Sequence, residues 1–519
     1  MSIEIKGWRR SRYQRGLELK VLESQRGIVR ARRGWYSVDM SEYIPTIGLE
    51  VHAELKTATK MFCNSKNDAS ETRPNVNICP VCMAHPGTLP VINREAVRCV
   101  LQVGAALGGT SADYTEFDRK NYFYPDLPKG YQLSQFEFPL VAGGTLNGVK
   151  ITRVHLEEDT ASSSHNEVTG ETLVDYNRAG VPLMELVTEP VIHSAKEASD
   201  FGRELQLLLR YLGVSYADME KGNMRLEANV SVSNSDSLGT KVEIKNINSF
   251  GIMERAVDYE IKRQINALEK GETIIQETRG WDDRKQATFS QRTKEGSADY
   301  RYFPDPDLPS LKLSEIAEFN IETLKKSLPE LPEARRTRYI SAGVKPADAI
   351  QFVSYPRLAD FLDEVTKGNE DAIFIQRSAN YIANDLVSII RDILDRDAEN
   401  QDETSEILPI SAGNFKIIMI MIGDGRLSSR AAKDLFIHVI EGKGEPEAVA
   451  EKEGLLQTNT ASDIEPIVAK IIVEHATVVA DYKAGKEAAL QFLIGQAMKA
   501  SKGSANPAQL KEIFIAQIN

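Results

Sequence analysis

The stretch Ile47-Gly48-Leu49-Glu50-Val51-His52-Ala53-Glu54 alternates apolar and polar residues, the period of a strand buried on one side only. Ile47, Leu49 and Val51 share one face, and Glu50, His52 and Glu54 share the other. An ordinary solvent-facing strand carries Thr, Lys, Ser and Arg, whereas every polar position here is a potential metal ligand. Taken alone the stretch reads equally well as a site or as a solvated strand, so the rest of the chain has to decide.

At 519 residues the chain exceeds a single core, and ~150 residues per domain suggests about three. With 42% hydrophobic and 27% charged residues, the composition is that of a soluble globular protein. No apolar run approaches the ~18 residues of a membrane span. The net charge of -12 argues against a chain that coats nucleic acid wholesale, while leaving room for a local basic surface. Four cysteines do not make a disulfide framework, so reduced thiols and a cytoplasmic location are expected. The first 39 residues hold ten Lys and Arg, among them Arg9, Arg10, Arg32 and Arg33, against four acids. Translation from Met40 is favoured over a transit peptide, because Glu4, Glu18, Glu23 and Asp39 are out of place in one.

Cys63 and Cys79-Pro80-Val81-Cys82 follow the first strand. Cys-x-x-Cys is half of a zinc knuckle, and a structural site needs four ligands. Cys99 falls in a helix opened by Asn93 and reads as core, which leaves three thiols with His85 or Ser65 as a fourth position. The loop from Asp118 to Gln132 interleaves Lys120, Asn121, Tyr122, Tyr124, Lys129 and Tyr131. Pro and Gly interrupt it too often for a regular element, and such a loop can stack on bases while holding phosphates. His155-Leu156-Glu157-Glu158-Asp159 sets three acids side by side, a charge density that water or a divalent cation has to compensate. Asp175 to Pro182, which includes Arg178, reads as a shaped loop.

Ser194 and Glu197 form a capping box ahead of an amphipathic helix. Arg225-Leu226-Glu227-Ala228-Asn229-Val230-Ser231-Val232 and Lys241-Val242-Glu243-Ile244-Lys245 alternate again, so several strands oppose one polar face to one apolar face. That pattern predicts a concave polar surface on an antiparallel or mixed sheet. A helix through Ile252 and Leu268 follows, and the Pro-rich run Tyr300 to Pro309 marks an edge or linker. Beyond residue 310 the periodicity turns helical, for instance through Leu386, Ile389, Ile390, Ile393 and Leu394. After residue 482 the chain is biased toward lysine. Neither Gly442-Lys443 nor Gly485-Lys486 has Walker spacing, so ATP chemistry here would not use a P-loop. There is no Gly-x-Ser-x-Gly elbow or amidase-type serine loop, so amide hydrolysis would require another chain.

The motifs at Ile47 to His52, Cys79 to Cys82, His155 to Asp159, Asn177 to Leu183, Lys245-Asn246-Ile247-Asn248-Ser249-Phe250 and Arg301 to Pro309 occur in one order. From about Tyr43 onward the chain resembles the B subunits of the aspartyl/glutamyl-tRNA amidotransferases. The resemblance implies an α+β chain: a glutamine-synthetase-like cradle domain over 40–330 after the 1–39 extension, a helical domain over 331–445, and a helical tRNA-binding tail over 446–519. It implies a heterotrimer whose other members are an amidase, the A subunit, and a small C subunit. It further implies ATP-dependent phosphorylation of the side-chain carboxylate on Glu-tRNA(Gln) or Asp-tRNA(Asn), followed by displacement of phosphate by ammonia.

Carried over residue by residue, the Mg²⁺ ligands fall on Glu50, His52, Glu157, Glu158 and Glu243. Glu158, Glu227, Arg225 and Lys245 become catalytic candidates, with Asn229 a further ATP or substrate contact. Contacts to tRNA fall on Lys120, Asn121, Tyr122, Tyr124, Lys129, Tyr131, Arg178, Lys499 and Lys502. Zinc-bearing relatives place Cys-x-Cys ahead of Cys-x-x-Cys, but here the second position is Ser65. A zinc on Cys63, Cys79 and Cys82 is therefore expected to have been lost. Two other functions compete with this reading: a tRNA-binding adaptor without chemistry, and a free-standing ligase for a small carboxylate.

Overall fold

A computed structural model describes residues 43–518 apart from 167, 294–299, 390–407, 458–460, 502–504 and 506. The Arg-rich leader, Lys502, and the helix face at Ile390, Ile393 and Leu394 lie outside the described residues.

The opening stretch is a strand, β1 (Ile44–Glu54), with Ile47, Leu49, Val51 and Ala53 fully buried on one side. Eight further strands continue its sheet: β2 (Thr110–Ser111), β3 (Val141–Ala142), β4 (Val149–Glu158), β5 (Pro182–Thr188), β6 (Met224–Ser233), β7 (Val242–Ile247), β8 (Glu277–Asp282) and β9 (Ala287–Thr293). Their order is β9-β8-β7-β6-β1-β5-β4-β3-β2, with Thr145–Leu146 paired to β4 as a side branch. Neighbours run antiparallel except β7 and β8, which are parallel. A parallel pair needs a crossover, and the helix α3 (Phe250–Glu269) supplies it.

Three helices cover the apolar face, because the alternation of the strands puts every second side chain there. The first, α1 (Arg94–Ala106), starts where the Asn93 side chain accepts hydrogen bonds from the amides of Glu95 and Ala96, and Cys99 is core as expected. The second, α2 (Ala195–Tyr211), is capped by Ser194, which accepts from Glu197 N. Glu197 in turn accepts from His193 N at 2.9 Å. The first contact satisfies an amide that a helix start leaves orphaned, and the second ties down the residue ahead of the cap. Gly202 of α2 lets Phe250 of α3 and Leu226 of β6 approach closer than a Cβ would permit.

The segment expected to be an irregular loop contains regular structure at both ends. Asp118–Asn121 and Tyr131–Ser134 pair as a hairpin, and Phe303–Pro304 adds a third strand. The Pro-rich run is therefore an edge strand folded back on this hairpin. Arg119 fixes it there, with Nε 2.6 Å from Asp305 Oδ2.

From Ile321 onward the described regular elements are helical. Pro332–Ser341, Pro346–Ser354 and Pro356–Thr366 each begin with proline in the first turn, where its missing N–H costs nothing. These helices share one core with Ala412–Gly423 and Ser429–Ile440. That core also includes Val449 and Ala450 of the helix Pro446–Lys452, so the division drawn at 446 cuts through it. A separate core holds the tail, from Ile464 through Leu493 to Phe514 and Ile518. The Tyr211 hydroxyl donates to Val353 O at 3.0 Å and Arg336 meets Glu204 at 2.9 Å, joining the sheet's helices to the first helical core.

Candidate active site

Cross-strand register turns scattered residues into rows. His52 of β1 lies opposite Glu185 of β5 on one side and Arg225 of β6 on the other, and Glu185 lies opposite His155 of β4. The row His155, Glu185, His52, Arg225 thus crosses four strands on the polar face. One pair further along β1, Glu50 faces Glu227. Residues in such rows are brought within contact distance by the ~4.7–4.9 Å strand spacing.

His52 is the hub. Its Nε2 lies 3.4 Å from Glu185 Oε2, 3.5 Å from Glu157 Oε1 and 3.8 Å from Glu50 Oε1. His155 Nε2 approaches the same Glu185 oxygen at 3.5 Å. Two overlapping groups, Glu50/His52/Glu185 and His155/Glu157/Glu185, each bring three ligating atoms within 4.8 Å of one another. Glu157 is nearly inaccessible and its Oε2 has no hydrogen-bond partner. Lys120 Nζ is the cation near that oxygen, at 4.0 Å.

The electrostatics follow from burial among like charges. Burial lifts the Glu50 carboxyl above its usual range, and Glu185 adds to the lift. Burial opposes charge on His52, but hydrogen bonds to Glu157 and Glu185 outweigh it and hold the imidazole well above its ordinary value. Burial also works against Glu157 and Glu185, yet Lys120 and His52 depress the first and His155 and His52 depress the second. Carboxylates and imidazole around an unpartnered buried oxygen fit a divalent ion with oxygen and nitrogen ligands.

The predicted site residues divide. Glu50, His52 and Glu157 come together, and Glu185, which the sequence pattern does not single out, completes the group. Glu243 shares their face opposite Asn229, but its carboxylate accepts from Thr278 Oγ1 at 2.7 Å and stands outside the ligating groups. Glu158 is a correction: strand alternation turns it to the other face from Glu157, where Leu133 N donates to it at 2.9 Å and Lys129 reaches it at 2.5 Å. Arg225 binds Asp159 at 2.5 Å, and Lys245 pairs with Glu227 at 2.7 Å. Asn229 Oδ1 is buried without a hydrogen-bond partner on the same face.

Several residues expected to touch tRNA also make contacts within the protein. Lys120 turns in toward Glu157, with its ammonium over the rings of Tyr122 and Tyr300. Asn121 donates to the carbonyls of Tyr300 and Arg301, and the Tyr122 hydroxyl donates to Gln132 at 2.9 Å. Arg119 and Lys129 lie over the Tyr131 ring, and Arg178 donates to Thr160 O and Ala161 O. Tyr124 and Lys499 remain exposed, as does the neighbouring Phe123.

The sulfur atoms of Cys63, Cys79 and Cys82 lie within 4.8 Å of one another. Ser65 Oγ stands 3.8 Å from Cys82 Sγ, and His85 is absent from the group. A hydrogen bond from Cys63, helped by the Cys79 amide and the Lys60 ammonium, brings the Cys82 thiol down to about 4.

A sheet-rich α+β domain thus carries a carboxylate and imidazole centre on its polar face. Residues 45–317 match the family described as the GatB/GatE catalytic domain, and residues 361–518 match the GatB domain. The aspartyl/glutamyl-tRNA(Asn/Gln) amidotransferase B subunit of Carboxydothermus hydrogenoformans is 41% identical over 489 residues, covering 92% of this chain and 98% of its own. The protein of the same name from Thermomicrobium roseum is 42% identical over 486 residues, covering 91% and 98%. The chloroplastic/mitochondrial glutamyl-tRNA(Gln) amidotransferase B subunit of Physcomitrium patens is 40% identical over 528 residues, covering 98% and 90%. The chain belongs to the B-subunit family of the tRNA-dependent amidotransferases.

Proposed function

We infer that this chain is the tRNA-handling subunit of a glutamine-hydrolysing aminoacyl-tRNA amidotransferase, converting Glu-tRNA(Gln), Asp-tRNA(Asn) or both to the amide. The single observation that carries the chemistry is the convergence of Glu50, Glu157 and Glu185 on His52 around an unpartnered Glu157 oxygen. In this reading ATP phosphorylates the substrate's side-chain carboxylate. An amidase partner supplies the ammonia that displaces the phosphate, within a cytoplasmic heterotrimer completed by a third, small chain. The sheet is read as the cradle of a glutamine-synthetase-like domain. Among the described residues no helix is long and apolar enough to cross a membrane.

A carboxylate is a poor acyl donor until it carries a leaving group, so the catalyst has to hold anions in line and offset their charge. Glu50, His52, Glu157 and Glu185 would hold Mg²⁺, which supplies charge neutralisation for the transferred phosphoryl oxygens. Lys120, Arg225 and Lys245 border this group, each already paired with one carboxylate. Their positions are thereby set before an anionic substrate arrives, which spares reorganisation during reaction. Asn229 Oδ1 offers a fixed acceptor beside them.

The deciding experiment is amidation of purified Glu-tRNA(Gln) and Asp-tRNA(Asn) by the reconstituted complex with glutamine, ATP and Mg²⁺. Product that depends on all of these supports the reading. ATP turnover on a free small carboxylate, without tRNA or the other subunits, would replace it with the free-standing ligase.

A further inference from the structure

We propose that Cys63, Cys79 and Cys82, together with Lys60, form a thiol redox site in which a peroxide joins Cys79 to Cys82 and disturbs the catalytic face through the loop at Gly180. Cys79 Sγ and Cys82 Sγ are 3.8 Å apart, and the turn after Cys79, closed by Met83 N donating to Cys79 O, keeps both thiols on one side. The Lys60 side chain is fully buried, and its Nζ lies 3.8 Å from Cys82 Sγ and 3.1 Å from Tyr176 O. The Cys79 amide points at Cys82 Sγ from 3.1 Å. The Lys60 nitrogen and the Cys79 amide thus both aim at the one sulfur that lies within reach of Cys79 Sγ, and a thiolate is the form that attacks peroxides. The fourth corner is the Ser65 hydroxyl, a poor substitute for a thiolate in a closed four-ligand zinc site.

The chemistry balances without another reactant. The Cys82 thiolate attacks one peroxide oxygen, the O–O bond breaks, and Cys82 becomes a sulfenic acid while the other oxygen leaves as water after protonation. Cys79 sulfur then attacks the sulfenic sulfur, the S–S bond forms, and the S–O bond breaks to release a second water that carries the Cys79 proton. Two thiols are oxidised and one peroxide is reduced.

The same cysteine packs against the loop at Gly180, which is hydrogen-bonded to Asp159, the partner of Arg225 on the polar face. Gly180 has φ +83°, and a Cβ placed on it would lie 3.6 Å from Cys82 Cβ, 3.7 Å from Lys60 Cδ and 3.9 Å from Glu158 Oε2. Its carbonyl accepts from Met61 N at 2.7 Å and its amide donates to Asp159 O at 2.9 Å. Drawing the 3.8 Å separation down to a disulfide length of about 2 Å requires the Cys79–Cys82 turn to shift, which disturbs the packing of Cys82 on this glycine and with it the segment that carries Arg178 and is bonded to Asp159.

Disulfide formation stands independently of the functional reading, whereas its effect on amidation rests on that reading. The test uses the complete complex purified in reductant, then exposed to hydrogen peroxide. Expected are a Cys79–Cys82 linkage in peptide mass mapping with Cys99 still open to alkylation after unfolding, faster amide exchange over residues 176–182, and loss of amidation reversed by dithiothreitol. The Cys79→Ser complex should keep its amidation under the same dose. Absence of the linkage, or zinc retained stoichiometrically through chelation with the thiols shielded from peroxide, overturns the site. A linkage that leaves exchange over 176–182 unchanged overturns the coupling. Failure of the reduced complex to amidate sinks the functional reading instead, and the exchange measurement still decides the coupling.

Discussion

His52 and Glu185 face each other across adjacent antiparallel strands, with Nε2 3.4 Å from Oε2, and this pairing joins the first strand's acids to those of β4. Glu185→Gln keeps the shape and gives up the charge. Amidation by the complex should fall about 10² to 10³-fold, the scale of one lost preorganised contact. Calorimetric Mg²⁺ or Mn²⁺ binding should weaken in parallel, and His52→Ala should act similarly. Full activity with normal metal affinity in both variants would show that the acid cluster is only a solvated face.

The tail can be separated from the helical core, but only at the right residue. Deleting 461–519 removes the core built on Leu493 and Phe514 and leaves Val449 and Ala450 in theirs. This truncation should lower tRNA affinity while the melting temperature of the remainder holds. Deleting from 446 also strips two buried residues from the first helical core, so that protein should melt lower or aggregate. Equal stability of the two truncations, measured by calorimetry, would contradict this division.

Arg335 bridges Asp360 and Asp363, and Asp363 also accepts from the Tyr339 hydroxyl at 2.9 Å. Burial works against the Asp363 charge, but bonds from Arg338 and Arg335 hold its carboxyl below the ordinary carboxylate value. A depressed carboxyl contributes stability above its unfolded value and loses it as pH falls through the folded one. Asp363→Asn should cost about 1–3 kcal/mol near neutral pH. Chemical unfolding at successively lower pH should show that deficit shrinking once the solution drops below the ordinary carboxylate range. A deficit that stays constant into acid would remove the charge from the account.

Gly104 of α1 lets the helix settle on Val141 of β3, where a Cβ would come within 2.5 Å of a buried methyl. Gly104→Ala should destabilise by about 1–3 kcal/mol, as overpacking does. Adding Val141→Ala should recover part of that loss, because the two positions share one space. Additive losses in unfolding experiments would mean that the backbone absorbs the clash elsewhere.

The alternation at Glu50 and His52 is legible in the sequence because one face of β1 is buried and the other polar. Glu185 is not, since Leu183-Met184-Glu185-Leu186-Val187 is apolar on both sides and the strand is buried almost throughout. A lone carboxylate inside such a run is itself a signal, because burying it without a partner is costly. The run Glu157-Glu158-Asp159 looks like one unit of charge, although a period of two already separates Glu157 from Glu158. The aromatic and basic loop is legible only in part: its residues also pack on each other, and only register with Phe303 reveals that they do.

The position of β1 also sets a schedule for synthesis. It leaves the ribosome first among the sheet's strands, yet both its neighbours, β5 and β6, are encoded far downstream, the last paired residue being Ser233. Until then the strand that carries Glu50 and His52 has two unsatisfied edges, the kind of surface on which other chains add. Pairings this distant in sequence form slowly. Nascent chains shorter than about Ser233 should therefore be the ones that need a chaperone, and a ribosome stalled there should hold the chain with its future metal ligands still apart.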